Sequence, residues 1–376
     1  MSAPPCPHRP PCPGCPRYGE AGIASRARER LRAFAVQAGL PEPVVVDAPG
    51  FASRHRARLS VRGRTRTPKL GIFQEGSHRI VDIPQCRIHH PLINRVAAAV
   101  RVAARDAGVE SYAERPHRGA LRAIQVVVER RSQSAQLVLV ENAALPGPVA
   151  GLAGPLRREL GDALHSLWWN GNSERGNAIL GPAWRHLAGP EVVWDEVGGC
   201  EIAFPPGAFG QSQPALAERI ARRAQACVPD AARVVEFHAG CGPVGMGLLR
   251  RAERVTFNEV SPAALDGLAR GIARRPEAER ARAVVRAGPA ADQIGLLEDV
   301  DAVLLDPPRK GLDAALHGAL CAMPPQHLVW ISCGLDAFLV QAAALQERTG
   351  LRLHALEAYA LFPFTDHVET LAHFTR

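Results

Sequence analysis

Long hydrophobic runs are missing from this sequence of 376 residues. No apolar stretch approaches the about 18 residues that a membrane-spanning helix needs, so no membrane partner is expected. The opening residues, MSAPPCPHRPPCPGC, lack the apolar core of a secretory leader. The corresponding expectation is a cytoplasmic, reducing setting. There cysteines serve as metal ligands or nucleophiles more often than as disulfides. Lysine is almost absent, with Lys69 and Lys310 the only two among 45 basic residues. An arginine bias of that kind follows codon composition and is not read as chemistry. No repeat of fixed period organises the chain. The low hydrophobicity of a disordered protein is absent too: 47% of residues are hydrophobic and 22% charged. That balance suits a soluble globular chain, with length for about two domains.

The net charge of +8 is unevenly spread. Residues 1–130 hold 22 Lys+Arg against 10 Asp+Glu, a net of +12, which leaves 23 against 27, a net of −4, for the remainder. A basic half beside a near-neutral half points to a polyanionic partner.

Helical spacing over residues 20–38 places Ile23, Ala27, Leu31 and Phe34 on one side. From 43 to 86 the pattern turns to strands. In SRHRARLSVRGRTR, Arg54, Arg56, Arg58, Arg62, Arg64 and Arg66 share one parity, with Leu59 and Val61 on the other. A strand or hairpin there would carry a row of guanidiniums on one face. The bland alternative is a solvated strand face. Strand-like runs at 122–129, 136–141, 164–169 and 191–195 complete an α+β half with a mostly antiparallel sheet. From about 214, short β runs (RVVEF, RVTFNEV, AVVR, DAVLLD, HLVWIS) alternate with helical segments, which predicts a parallel sheet covered by helices on both faces. The boundary is expected at the Pro-Pro-Gly of FPPGAFGQSQP, dividing the chain into 1–205 and 206–376.

The second half carries the chemistry. In EFHAGCGPVG, Glu236 ends a strand, and Gly240, Gly242 and Gly245 lead into a helix, a pattern that lets the backbone approach a ligand. The next strand ends at Glu259, where a carboxylate could accept ribose hydroxyls. Nicotinamide enzymes, S-adenosylmethionine (SAM) enzymes and ligand-free turns all show such a loop. Further on, Asp306 in LLDPPRKGL and Cys333 in WISCGLDAF follow apolar strands, and Glu369 lies in FPFTDHVETLAHF. A thiol and two carboxylates around one crevice suit covalent catalysis with proton removal. A nicotinamide dehydrogenase would leave them unused. Separately, Cys6, Cys12 and Cys15 form C-x5-C-x2-C, with Cys86 the obvious fourth ligand. Four thiolates suit tetrahedral zinc or a [4Fe–4S] cluster, and spacing alone does not choose. Cys200, Cys227, Cys241 and Cys321 have no partner pattern and read as packing residues.

Phe209-Gly210-Gln211, the glycine loop, Asp306-Pro-Pro-Arg309, Ser332-Cys333 and His367-Val368-Glu369 together resemble the RNA 5-methyluridine methyltransferase family. The resemblance extends through HRARLSV (55–61), SHRIVDIPQC (77–86) and GNAILG (176–181) to nearly the whole chain. It implies a Rossmann-like SAM-dependent methyltransferase domain, joined to an N-terminal α+β RNA-contacting domain that carries the cysteine cluster. The chain begins directly at its cysteines and resembles the shorter members, without an N-terminal β-barrel module, that act on 23S ribosomal RNA. Transfer RNA is the second candidate substrate, and a monomer is expected.

By the same resemblance Cys333 is the nucleophile that attacks C6 of uracil, and Glu369 is the base that removes the C5 proton. Asp306 and Gln211 hold SAM or the target base, while His238, Gly240, Gly242 and Glu259 line the SAM site. The thiol needs cationic support, for which Arg309 is the candidate, and the arginine row becomes a phosphate contact. Cys6, Cys12, Cys15 and Cys86 match the positions that hold a [4Fe–4S] cluster, with a structural role favoured over redox sensing. The chain departs from the family pattern at several places. Gly334-Leu335 replaces Asn-Pro, Gln213 stands where Asn is usual, and Glu236 replaces Asp. His238 replaces an aromatic, and Gly288-Pro289 lacks an acid. These departures leave open an RNA-binding iron–sulfur protein that has lost activity.

Overall fold

The computed structural model describes residues 3–376. After helix α1 (Ser25–Gln37) and the short strand β1 (Val44–Val46), the chain builds a seven-stranded sheet. Its strands are β2 (Arg56–Arg64), β3 (Thr67–Phe73), β4 (Ile80–Asp82), β5 (Leu121–Glu129), β6 (Ser134–Glu141), β7 (Leu164–Gly171) and β8 (Ala183–Ala188). They are arranged β4-β3-β2-β5-β6-β7-β8, antiparallel except between β6 and β7. Alternation decides its faces. Leu59 and Val61 of β2, Ile124, Val126 and Val128 of β5, and Leu137 and Leu139 of β6 form one core with helices α2 (Pro91–Asp106) and α3 (Ala153–Leu160). From α2 that core takes Ile93, Val96, Ala97, Val100 and Ala104.

A hairpin of β9 (Val193–Val197) and β10 (Cys200–Phe204) leads to the larger unit. There α4 (Pro214–Ala226), β11 (Arg233–Phe237), α5 (Gly245–Leu248), β12 (Arg254–Glu259), α6 (Pro262–Ala273), α7 (Glu277–Arg280) and β13 (Ala283–Ala287) follow in turn. The chain then crosses back to β14 (Ala302–Leu305), α8 (Ala314–Ala322), β15 (His327–Ser332), α9 (Leu335–Thr349), β16 (Arg352–Tyr359) and β17 (Glu369–Thr375). The strand order is β1-β16-β17-β15-β14-β11-β12-β13. β11 to β15 run parallel, and β17 lies antiparallel between β15 and β16. The order reverses between β11 and β14. In open α/β sheets the crevice beyond the carboxyl ends at such a point is where ligands bind.

In place of one boundary near residue 205, the packing parts the chain twice. β1 pairs with β16 of the larger sheet. α1 buries Ala27, Leu31 and Phe34 in the core that holds α9, with the Phe34 and Phe338 rings 5.8 Å apart. Hairpin β9–β10 buries Val193, Val197, Ile202 and Phe204 with α4 and α6. Residues of about 20–48 and from about 191 onward therefore belong to the larger unit. The smaller sheet is inserted between them. Among the described residues no helix is long and apolar enough to cross a membrane.

Candidate active site

Two chain segments running in opposite directions meet at the carboxyl rim of the larger sheet. β15 hands the chain to Cys333, and β17 enters the sheet at Glu369. Ser332 pairs with Thr370, so Cys333 and Glu369 are the next cross-strand neighbours outward. Asp306, just beyond β14, stands on the adjoining strand. The sequence places them there because each apolar run stops where the chain reaches the crevice.

Charge is unbalanced at this rim. Glu369 is 1% exposed, and neither carboxylate oxygen has a hydrogen-bond partner. Burial, and then Asp306, hold its pKa well above the usual carboxylate range, with Arg309 opposing. Asp306 is pushed up to about 7 by burial and by the Glu259 charge. Glu236 rises to about 8, chiefly by burial, although it accepts the Gly245 N–H at 3.0 Å. Burial, then Glu369 and Asp306, push the Cys333 thiol up to about 11. The Arg309 guanidinium, within hydrogen-bonding reach of the sulfur, pulls the other way. Buried carboxyls without a counter-cation suit a positively charged ligand, whose arrival would return them to the ionised form.

The glycine loop forms the neighbouring wall. Gly240 and Gly242 take positive φ angles of 56° and 79°. A β-carbon on Gly240 would point into open space, whereas one on Gly242 would come within 2.7 Å of Leu268. The Glu259 carboxylate accepts the N–H groups of Gly240, Val260 and Ser261 at 2.7, 2.8 and 2.7 Å, so it also braces the loop. His238 adopts a left-handed φ of 58°, and its buried Nε2 lacks a partner. Burial lowers its pKa, so the ring is neutral. Gln211 lies on the linker after β10, half-buried between the two sheets.

Two departures from the family pattern have local explanations. A β-carbon on Gly334 would sit 2.0 Å from the Arg309 carbonyl oxygen, so glycine lets the Asp306–Arg309 segment pass beside Cys333. A β-carbon on Gly245 would sit 2.4 Å from the Glu236 carboxylate, so the longer acid has space only beneath a glycine.

In front of Cys333 lies a cleft of about 540 Å3. One wall is Arg309, Gly334 and the Asp366–Val368 turn, and the other is α1, with Ala24, Arg26, Ala27 and Arg30. Sequence reasoning predicted this helix but not its place at the cleft, because an amphipathic pattern does not say which core it joins. Arg30 pairs with Asp336 at 2.5 Å, while Arg26 is exposed and has no ion-pair partner among the described residues.

The expected arginine row is broken. Arg58 and Arg64 are exposed on β2, and Arg66 is exposed in the β2–β3 turn. Arg62 pairs with Glu114 at 2.7 Å. Arg54 and Arg56 are turned inward. The Arg56 guanidinium lies 4.1 Å from the centre of the Phe204 ring, against Gly210 of the linker. The parity was legible; the linker covering one end of the strand was not.

Cys6, Cys12, Cys15 and Cys86 are half-buried and unbridged. The Cys12 and Cys15 thiols are raised chiefly by burial and then by the other cysteines, Cys15 to about 12. Four soft donors are the set that an iron–sulfur or zinc site requires. Yet among the described residues no three or more Cys, His, Asp or Glu side chains are arranged to hold a metal ion. The arrangement therefore does not support the expected cluster.

No family model matches the chain. An RNA methyltransferase of Protochlamydia amoebophila is 30% identical to it over 99% of this chain and 97% of its own length. The chain belongs to the RNA methyltransferase family. A second RNA methyltransferase, of Geobacter sulfurreducens, is also 30% identical, over 99% of this chain and 77% of its own. The crystal structure of Pyrococcus abyssi tRNA (uracil-54, C5)-methyltransferase with S-adenosyl-L-homocysteine superposes with a TM-score of 0.74. It covers 93% of this chain and 82% of that one, at 20% identity. That likeness establishes the methyltransferase fold of this RNA methyltransferase.

Proposed function

We propose that the protein transfers the methyl group of SAM to C5 of a uracil in RNA. The observation that carries this reading is the placement of Cys333 beside the unpartnered Glu369 carboxyl at one rim. Uracil C5 is too weak a nucleophile to attack a sulfonium methyl directly. The Cys333 thiolate adds to C6, and the C5–C6 π electrons move onto the O4 enolate. C5 then takes the methyl group and S-adenosyl-L-homocysteine leaves. Glu369 removes the C5 proton, and the electrons of that C–H bond restore C5=C6 and expel the thiolate. Arg309 favours the thiolate form. The sulfonium charge favours ionised carboxyls along the rim, including Asp306. Gln211, Asp306, His238, Gly240 and Gly242 are assigned to SAM or the target base. The uridine must leave any stack to reach Cys333, and Arg58, Arg64, Arg66 and Arg26 are assigned to flanking phosphates.

Ribosomal RNA is the proposed substrate, with transfer RNA the alternative, in a cytoplasmic monomer. Cys6, Cys12, Cys15 and Cys86 are proposed to hold a [4Fe–4S] cluster as a structural fastening, a reading supported by the family resemblance of these four positions and not by their arrangement. The activity is tested with RNA containing 5-fluorouridine, which lacks the abstractable C5 proton. The native enzyme should remain covalently joined to it, and Cys333→Ala should not. Adduct formation by that variant would remove the assignment. Nucleoside mapping of ribosomal and transfer RNA from cells with and without the gene identifies the RNA.

A further inference from the structure

The turn from Phe362 to His367 delivers the chain to Glu369. Phe364 within it has a φ of 62°, the left-handed region that a residue with a β-carbon avoids. The two residues that follow Pro16 hold it there. The Arg17 N–H donates to the Phe364 carbonyl at 3.0 Å, and its Nη1 donates to the Thr365 carbonyl at 3.2 Å. Its Nη2 and Nε are tied to the Ile23 carbonyl at 3.3 Å and to Glu20 at 3.0 Å, so the guanidinium is itself fixed. The Tyr18 ring packs against Phe364 and Phe51, at 5.4 and 5.8 Å between centres. Gly50 leaves room for that packing, because a β-carbon there would meet the Phe364 ring at 2.8 Å.

The constraint continues towards the thiol. Thr365 Oγ1 donates to the Phe362 carbonyl at 2.8 Å and accepts the His367 N–H at 3.3 Å. Arg309 Nη1 donates to His367 Nε2 at 3.1 Å. That bond makes Nε2 the acceptor and places the ring proton on Nδ1. Arg309 in turn lines the cleft in front of Cys333, its backbone against Gly334. We propose that Arg17 is a positioning residue of the active site, fixing the Arg309 side chain against Cys333 through the Phe364–His367 turn. For its consequence in catalysis, the inference rests on the reading of Cys333 as the nucleophile.

Glu369 and Asp306 also face the thiol and oppose Arg309. The rest of the cleft carries His367 and Asp366 on the turn, Asp336 on α9, and Arg26 and Arg30 on α1. With both carboxyls in place, moving Arg309 away from the sulfur can only make the thiolate harder to form. The test is the pH dependence of Cys333 alkylation by iodoacetamide, followed by peptide mapping of the full-length protein. In Arg17→Ala the midpoint should move up by about one pH unit, which is about tenfold slower alkylation at a fixed pH below it. Arg17→Lys, which keeps the charge and a donor for Thr365, should recover part of the loss. Thr365→Val, which cuts the link to His367 and leaves Arg17 in place, should shift the midpoint in the same direction. Cys321, on α8, should be unaffected throughout.

A wild-type profile in both Arg17→Ala and Thr365→Val overturns the proposal. If Arg17→Ala does not fold, a wild-type profile in Thr365→Val overturns it alone. The readout needs no RNA. A shifted profile in an enzyme that makes no adduct with 5-fluorouridine RNA would therefore uphold the positioning role and refute the methylation reading.

Discussion

The rim of the larger sheet and the arginine strand of the smaller one are both dense in ionisable side chains, and they are built in opposite ways. At the rim, Glu236 and Glu369 are buried and Asp306 half-buried, none is in an ion pair among the described residues, and their pKa values are pushed up. On β2, Arg58 and Arg64 are exposed and Arg62 is quenched by Glu114, and only Arg56, at the end covered by Phe204, is turned inward. A buried ionisable group without a partner persists only where the fold enforces it, which makes the rim the candidate for the chemistry. A solvated guanidinium costs the fold little and marks at most a loose contact with an anion.

Substitutions can break or sharpen that contrast. The largest effect is expected from Glu369→Gln, which keeps the shape of the side chain and removes the base. Turnover should fall by about 100-fold or more. Methyl transfer in a single turnover should survive, with the covalent RNA adduct accumulating. Unchanged multiple turnover, measured by radiolabelled methyl incorporation, would show that another group takes the proton.

An intermediate effect is expected at Gly334. A valine there forces the Arg309 backbone away from Cys333 and should cost roughly tenfold to hundredfold in kcat, with RNA affinity nearly unchanged. An equal loss in RNA affinity would mean that the glycine serves the RNA path instead of the thiol. The smallest effect is expected from the arginines. Replacing Arg58, Arg64 and Arg66 together by alanine should weaken RNA binding by about tenfold or less at physiological salt. The dependence on log salt should flatten by roughly one for each phosphate that no longer meets a guanidinium. A variant with the wild-type salt slope would show that the strand faces only water.

The same contrast explains what could be read before folding. The rim was legible because Asp306, Cys333 and Glu369 each follow or open an apolar run, and strand ends at a switch point share one crevice. Most strands of both sheets were legible by alternation or by apolar continuity, but β8, β16 and β17 were not read as strands. What escaped depends on long-range packing. Val44–Val46 reads as a strand but carries no mark that its partner is Glu357–Tyr359. The helix from Ser25 shows an apolar side without saying that it will wall the Cys333 cleft. Arg56 sits in register with Arg58, yet the Phe204–Gly210 segment lies over one and leaves the other bare. Glu259 reads as the acid ending its strand, but its use as an acceptor for three backbone N–H groups needs the loop already formed.

Insertion of the smaller sheet into the larger unit has a mechanical consequence. Three covalent crossings join the units: the N-terminal segment, whose Cys12 packs on the smaller core and whose Arg17 bonds the Phe364 turn of the larger unit, and the stretches near residues 48–53 and 188–192. Movement of one unit against the other is therefore restrained at three places. The thiol and its base would not part, because both are anchored in neighbouring strands of one sheet.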